Sequence, residues 1–269
     1  MDMAYICNEA KGSFIMKNIT ERHQYILKRI KEKSKISIQE LCDVMNVSNV
    51  TIRKDLKLLE EKKLLFRTKG GASLNNPYAI DKPILIKEYI NAEEKRHIAQ
   101  AAVKLINDND SILIGSGTTA YTLAQHLYRE THLTVITPAL KVALELCNRP
   151  NIEVLQLGGL IRPNSSSVAG QYAMNILDEV SCGMVFIGVD GIDLDFGVSI
   201  SNISEATLNQ KMIQTSRNLV ILADHTKFGR RGLGKICNLD DVDCIVTDRK
   251  TSTEYISQLE DIGIRVIIT

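Results

Sequence analysis

No apolar run in this 269-residue chain approaches the roughly 20 residues that a membrane-spanning helix needs; runs such as NLVILA at 218–223 fall far short. Residues 1–16, MDMAYICNEAKGSFIM, lack the basic start and apolar core of a secretory signal. The six cysteines (Cys7, Cys42, Cys147, Cys182, Cys237 and Cys244) include no C-x-x-C pair, and no histidine stands at metal-finger spacing. That excludes a zinc finger and a disulfide scaffold, and reads as thiols in a reducing cytoplasm. Cys42 falls on the core side of an expected helix, as a small apolar residue would. No metal and no cofactor is expected. Excess charge is missing too, since the net charge is only +1. What remains is ordinary for a soluble globular protein: 44% apolar and 24% charged residues.

The small net charge conceals a division. Residues 17–76 hold 14 Lys and Arg against 7 Asp and Glu, whereas residues 77–269 hold 18 against 23. A basic head on an acidic body is the asymmetry expected when only the head meets a polyanion. Screening over about 8–10 Å keeps the body's charge from cancelling the head's. Within the head, TERHQYILKRIKEK (20–33) repeats Ile26, Leu27 and Ile30 at helical spacing, with Thr20 as an expected N-cap. A β-leaning triplet, Ile36 to Ile38, precedes a second helix beginning at Ser37 or Ile38, with Leu41, Val44 and Met45 on one face. Ser48 is placed to cap a third helix whose stripe is Ile52, Leu56 and Leu59. Asn49, Thr51, Arg53, Lys54 and Lys57 fall elsewhere, mostly toward solvent. The three-residue link NVS between the last two helices is the helix-turn-helix arrangement, and the second member of such a pair lies in the major groove. Leu64, Leu65 and Phe66 read as a short strand and Gly70-Gly71 as a tight turn, which adds a wing carrying Arg67 and Lys69.

These segments resemble the DNA-binding head of the DeoR family of transcriptional regulators. The resemblance is carried by VS-x-x-TIR-x-DL-x-x-LE from Val47 and by the closing R-x-x-GGA from Arg67. It implies an operator-contacting set of Ser37, Ser48, Asn49, Thr51, Arg53, Lys54 and Lys57, with Arg67 and Lys69 on the wing.

From Ala92 the pattern becomes an alternation of helices and short apolar runs. The runs lie at 111–114, 133–137, 152–157, 184–189, 218–223, 243–246 and 264–269. That predicts an α/β domain with a mostly parallel sheet, in which ligands bind beyond the carboxyl ends of the strands. GSGTT (115–119) stands at one such end and offers a phosphate cradle of glycine, hydroxyls and helix N–H groups. It is neither a Walker loop nor G-x-G-x-x-G. Three more polar, glycine-bearing strand ends follow, LGGLIRPNSSSVAG, FIGVDGIDLDFG and LADHTKFG. A sugar phosphate suits them: cradle and lysine for the phosphate, acids for the hydroxyls.

EKRHIAQAA, SGTT, VIT, LGG, FIGVDGID, Glu205 and ADHTKFG resemble, in order, the effector-binding domain of the same family. That domain is similar in fold to ribose-5-phosphate isomerase. The resemblance implies an effector set of Lys95, Gly115, Ser116, Gly117, Thr118, Thr119, Asp190, Glu205, Lys211, Asp224 and Lys227. Two positions depart from the family pattern: Gly115 where Asp is frequent and Pro138 where Asn is common. The alternative is an isomerase-like enzyme. The stretch DGID and Glu205 look similar to that enzyme's catalytic acids, but Leu194 replaces one acid and GVSIS (197–201) stands where a K-G-G-G stretch would be. Without that lysine an enediolate lacks its electrostatic partner. His23 and His97 sit on helical stretches, and His225 is the histidine nearest the effector set.

The expected organisation is a tail over 1–17, disordered or upstream of a true start at Met16, then a winged helix-turn-helix domain over 18–74, a linker over 75–91 and a phosphosugar isomerase-like α/β effector domain over 92–269. The expected partners are double-stranded operator DNA, a phosphorylated sugar and further copies of the chain as dimer or tetramer.

Overall fold

The computed structural model describes residues 18–62, 64–68, 70–74, 83–108 and 110–269. The tail over 1–17 and the wing residue Lys69 lie outside the described residues. The chain divides into two compact units between Pro77 and Tyr78.

The first unit is α1 (Ile19–Lys33), β1 (Lys35–Ser37), α2 (Ile38–Met45), α3 (Asn49–Glu61), β2 (Phe66–Thr68) and β3 (Gly71–Ser73). Its core is drawn from the three helices at helical spacing, Ile26, Ile30, Leu41, Met45, Ile52, Leu56 and Leu59, with Ile36 from β1, Leu65 just before β2 and Ala72 from β3. Cys42 packs at the edge of this core, as expected. The cap of α1 is Asn18 rather than Thr20, because the Asn18 carboxamide accepts the Thr20 N–H at 2.9 Å and the helix begins two residues earlier. The first wing strand starts at Phe66, two residues beyond the expected Leu64. Leu64 N–H still donates to Leu59 O in closing α3, and Leu65 is an anchor in the core. The wing sheet has the order β1-β3-β2 and is antiparallel throughout. Gly71 is the residue this sheet requires, since a Cβ there would stand 1.9 Å from Ile36 O. A buried ion pair ties α1 to α3: Arg22 Nε and Nη2 reach the two carboxylate oxygens of Asp55 at 2.6 and 3.0 Å.

The second unit opens with α4 (Ile84–Glu88) and α5 (Ala92–Val103). There follow β4 (Ser111–Ile114), α6 (Thr118–His126), β5 (Leu133–Thr137), α7 (Leu140–Leu146), β6 (Ile152–Gln156), β7 (Leu160–Arg162), β8 (Ser167–Ala169), α8 (Gln171–Leu177) and β9 (Cys182–Gly188). Then come β10 (Gly191–Asp193), β11 (Gly197–Ile200), α9 (Ile203–Gln214), β12 (Ser216–Leu222), β13 (Gly234–Cys237), β14 (Cys244–Thr247), α10 (Thr253–Asp261) and β15 (Arg265–Ile268). The main sheet has seven strands in the order β15-β14-β12-β9-β4-β5-β6, every pairing parallel. Parallel strands are covered on both faces, so they read as continuous apolar runs. Within each run successive side chains feed opposite cores. Leu113, Val185, Ile187, Leu219, Ile221 and Ile245 face α8, α9 and α10. Ile112, Ile114, Phe186, Val220, Leu222 and Val246 face α5, α6 and α7.

β4 lies inside this sheet, between β9 and β5. The chain leaves it toward β5 and β6, then returns to its other side with β9, β12, β14 and β15. The order therefore reverses between β4 and β9, which makes the crevice at their carboxyl ends the expected ligand position. A β7–β8 hairpin and a three-stranded sheet β10-β11-β13 stand beside the main sheet. The span 83–91, expected to be linker, belongs to this unit instead. Ile84 is buried there, and its N–H donates to Asn164 O at 2.7 Å.

Candidate functional site

In the first unit, α2 and α3 meet across Asn46–Ser48, and Ser48 caps α3 by accepting the Thr51 N–H at 3.2 Å. That cap aims the start of α3 outward. Asn49, Arg53, Lys54 and Lys57 are exposed and Thr51 is half-buried, while Asp55 beside them is buried. The face opposite the core is therefore the cationic one. Two expected contacts carry other duties. Ser37 caps α2 through the Glu40 N–H, and the Arg67 guanidinium lies 3.7 Å from Glu60. The Asn49 carboxamide accepts from the Cys42 thiol at 3.1 Å and so pins the turn.

In the second unit, the switch point between β4 and β9 gathers charge. Gly117, in a positive-φ conformation at +105°, turns the chain from β4 into α6. Ser116, Thr118 and Thr119 are buried around this turn, and Thr118 and Thr119 begin the helix. From β9 comes Asp190. Its carboxylate lies 2.9 Å from Lys87 Nζ and 3.9 Å from Lys227 Nζ, and it accepts the Ser201 N–H at 3.0 Å. From β12 comes Asp224, which accepts from Asn91 Nδ2 at 2.9 Å and from the Thr226 N–H at 2.9 Å. Lys95, buried on α5, donates to Lys87 O at 2.5 Å.

These groups set one another's protonation. Burial pushes the Lys95 ammonium down to about 8, against a smaller upward pull from Asp224. Burial raises the Asp190 carboxyl, but Lys87, Lys227 and the Ser201 hydroxyl together hold it below its ordinary value. The same balance holds Asp224 down, through Lys227, Thr226 and Asn91. Lys227 is lowered by burial despite both aspartates. The arrangement is three lysines against two ionised aspartates beside a helix N-terminus, a site with cations ready for an anion.

Glu205 is engaged by other side chains. It accepts from Ser167 at 3.1 Å and pairs with Arg162 at 2.9 Å, both from the β7–β8 hairpin. Lys211 is not brought to the site. Its ammonium pairs with Asp178 at the end of α8, because six residues beyond Glu205 is about 240° further round the helix. Gly115 is buried, and its N–H donates to Phe186 O in closing the β4–β9 crevice. His225 is held by Asp248, with Nδ1 at 3.1 Å from the carboxylate. Sequence reasoning missed Lys87, Asn91 and Arg162. Each lies in a stretch that the sequence presents as linker or loop. A separate open groove of about 660 Å³ runs between α5 and β15, and it contains none of the expected effector residues. No group of metal-ligating side chains occurs among the described residues, and no helix among them is long and apolar enough to cross a membrane.

A winged helix-turn-helix with an exposed basic recognition helix, joined to an α/β unit with a charged cleft at its switch point, defines a ligand-responsive DNA-binding regulator. Residues 22–78 match the DeoR-like helix-turn-helix domain and residues 90–249 the DeoR C terminal sensor domain. The chain belongs to the DeoR family of transcriptional regulators. It is 34% identical to the uncharacterized HTH-type transcriptional regulator YulB of Bacillus subtilis (strain 168), covering 92% of this chain and 96% of the relative. It is 30% identical to the HTH-type transcriptional repressor GlcR of the same strain, covering 93% and 96%. It is 28% identical to the glycerol-3-phosphate regulon repressor of Escherichia coli (strain K12), covering 90% and 96%. Among solved structures, ribose 5-phosphate isomerase A from Methanocaldococcus jannaschii aligns over 51% of this chain and 55% of its own, at TM-score 0.39 and 19% identity. That likeness is too loose to bear on function. The relatives are regulators of transcription, so the isomerase-like alternative is set aside.

Proposed function

We propose that the chain is a repressor of carbohydrate-metabolism genes, acting in the cytoplasm as a homo-oligomer, and that a phosphorylated sugar bound in the switch-point cleft releases it from its operator. The observation that carries the reading is the cluster of Lys87, Lys95 and Lys227 around Asp190 and Asp224, beside the Ser116–Thr119 turn. The lysines and the helix N–H groups suit a phosphate dianion, and the aspartates suit sugar hydroxyls. Ser48, Asn49, Thr51, Arg53, Lys54 and Lys57 are the operator-facing set, and Arg67 sits on the wing. Paired half-sites ask for paired heads, hence the two-fold assembly. Release requires that the effector bind the two states of the protein with unequal affinity. Two relatives support the repressor reading by name, GlcR and the glycerol-3-phosphate regulon repressor.

The test is a thermal-shift panel of sugar phosphates beside the same sugars without phosphate. A compound at 100 times its dissociation constant adds about 2.7 kcal/mol to the folded state. The expected result is a shift from one or a few phosphorylated members and none from their unphosphorylated forms, followed by weaker operator binding in a gel shift with the active compound. Stabilisation by the unphosphorylated sugar to the same degree would remove the phosphate from the reading.

A further inference from the structure

We propose that Lys87 and Asn91 are effector-binding residues, and that α4, which carries Lys87, reports occupancy of the cleft to the operator-binding head. The proposal rests on the sugar-phosphate reading of the cleft. α4 lies between the two segments that match the family domains, 22–78 and 90–249, so neither match assigns it a role.

Little apolar packing holds α4 in place. The helix is five residues long and buries only Ile84, while Leu85 and Ile86 are exposed and Tyr89, just past its end, is 86% exposed. One buried side chain offers little to fix a short helix against its conformational entropy. The fixing is largely polar, and three of its partners, Asp190, Asp224 and Lys95, belong to the cleft. Lys87 pairs with Asp190 and Glu88 with Lys141, and Asn91 donates to Asp224. Lys87 O accepts from Lys95, and the Ile84 N–H donates to Asn164 in the loop beside Arg162 and Ser165. α4 also lies against α6, whose first residues are Thr118 and Thr119.

An incoming phosphate needs cations, and the cations here are shared with carboxylates. A dianion drawn to Lys87, Lys95 and Lys227 competes with Asp190 for Lys87. Sugar hydroxyls drawn to Asp224 compete with the Asn91 amide. Filling the cleft therefore rewrites the polar ties of α4, whatever the sugar. α4 is also the first described element after the chain leaves the head unit at Pro77. A change in its attachment is passed along the chain itself.

The experiment uses the full chain with glucose 6-phosphate, fructose 6-phosphate, ribose 5-phosphate, glycerol 3-phosphate and inorganic phosphate as probes. Hydrogen exchange is followed over residues 84–91 and operator affinity by gel shift, in the wild type and in Lys87→Gln, Lys87→Arg and Asn91→Gly. Glycine is chosen at 91 because Asn91 has φ of +53°. The expected result is that the probe which shifts melting also changes exchange over 84–91. Lys87→Gln then weakens that probe's binding roughly ten- to a hundredfold and abolishes its effect on operator affinity. Lys87→Arg retains much of both, and Asn91→Gly weakens binding with less effect on operator release. Unchanged exchange over 84–91 when a probe binds overturns the reporting role. Equal probe affinity in Lys87→Gln and wild type overturns the binding role, and retained operator release in Lys87→Gln at saturating probe overturns the coupling. If no probe shifts the melting of the wild type, the sugar-phosphate reading fails and this proposal fails with it.

Discussion

At Lys95 the cost of holding a cation inside the fold can be read directly. Below pH 8 the ammonium is protonated in the folded and unfolded chain alike, and the folded chain bears the whole desolvation cost. Between about 8 and 10.5 the unfolded chain keeps a proton that the folded one has shed, so this group's contribution to stability rises with pH. Lys95→Met is therefore expected to raise the melting temperature of the empty protein at pH 7 while removing its response to sugar phosphates. Effector affinity in the wild type should fall as pH rises through about 8, measured by calorimetric titration. Asp55 is the opposite case, a buried carboxylate that earns its position through Arg22. Asp55→Ala should destabilise the head by about 3–5 kcal/mol, measured by chemical denaturation of the full chain. The pair was not legible in the sequence. Arg22 and Asp55 lie 33 positions apart in a basic segment, and only the crossing of α1 over α3 brings them together. The strand ends bearing Asp190, Asp224 and Lys227 were legible as polar, glycine-bearing loops, whereas Lys95, on α5, was implied only by the family resemblance. Lys211 failed because its face of the helix is decided by where α8 packs.

Elements differ in how openly they announce themselves. The seven strands of the main sheet are visible as apolar runs because both faces are covered. β7, β8, β10, β11 and β13 have three or four residues each, with glycine, serine and charge among them, and they are held by tertiary pairing rather than by pattern. α4 is silent for a related reason, since one buried residue leaves no period to detect. α3 announces itself fully, by cap, stripe and charged face, and that allows two contributions to be separated. Ser48→Ala removes the cap and should cost about 0.5–2 kcal/mol of stability. Arg53→Ala should leave melting unchanged, weaken operator binding and lower the magnitude of its salt slope by about 1 if the guanidinium meets a phosphate. An unchanged slope would take Arg53 off the backbone.

As a whole molecule, the protein has one core in the head and two in the sensor, on either face of the main sheet, with no buried residue shared between head and sensor. Calorimetry should resolve two unfolding transitions, and an effector should move the one belonging to the sensor. A single transition that shifts as one would show the units to be thermodynamically coupled. The interior position of β4 has a further consequence for manufacture on the ribosome. The head closes its core with residues no later than Ala72, whereas the crevice at β4 stays unwalled until β9 and then β12 have been made, and Lys227 comes later still. A nascent chain thus completes its reader long before its receiver, and for that interval it is deaf to the metabolite.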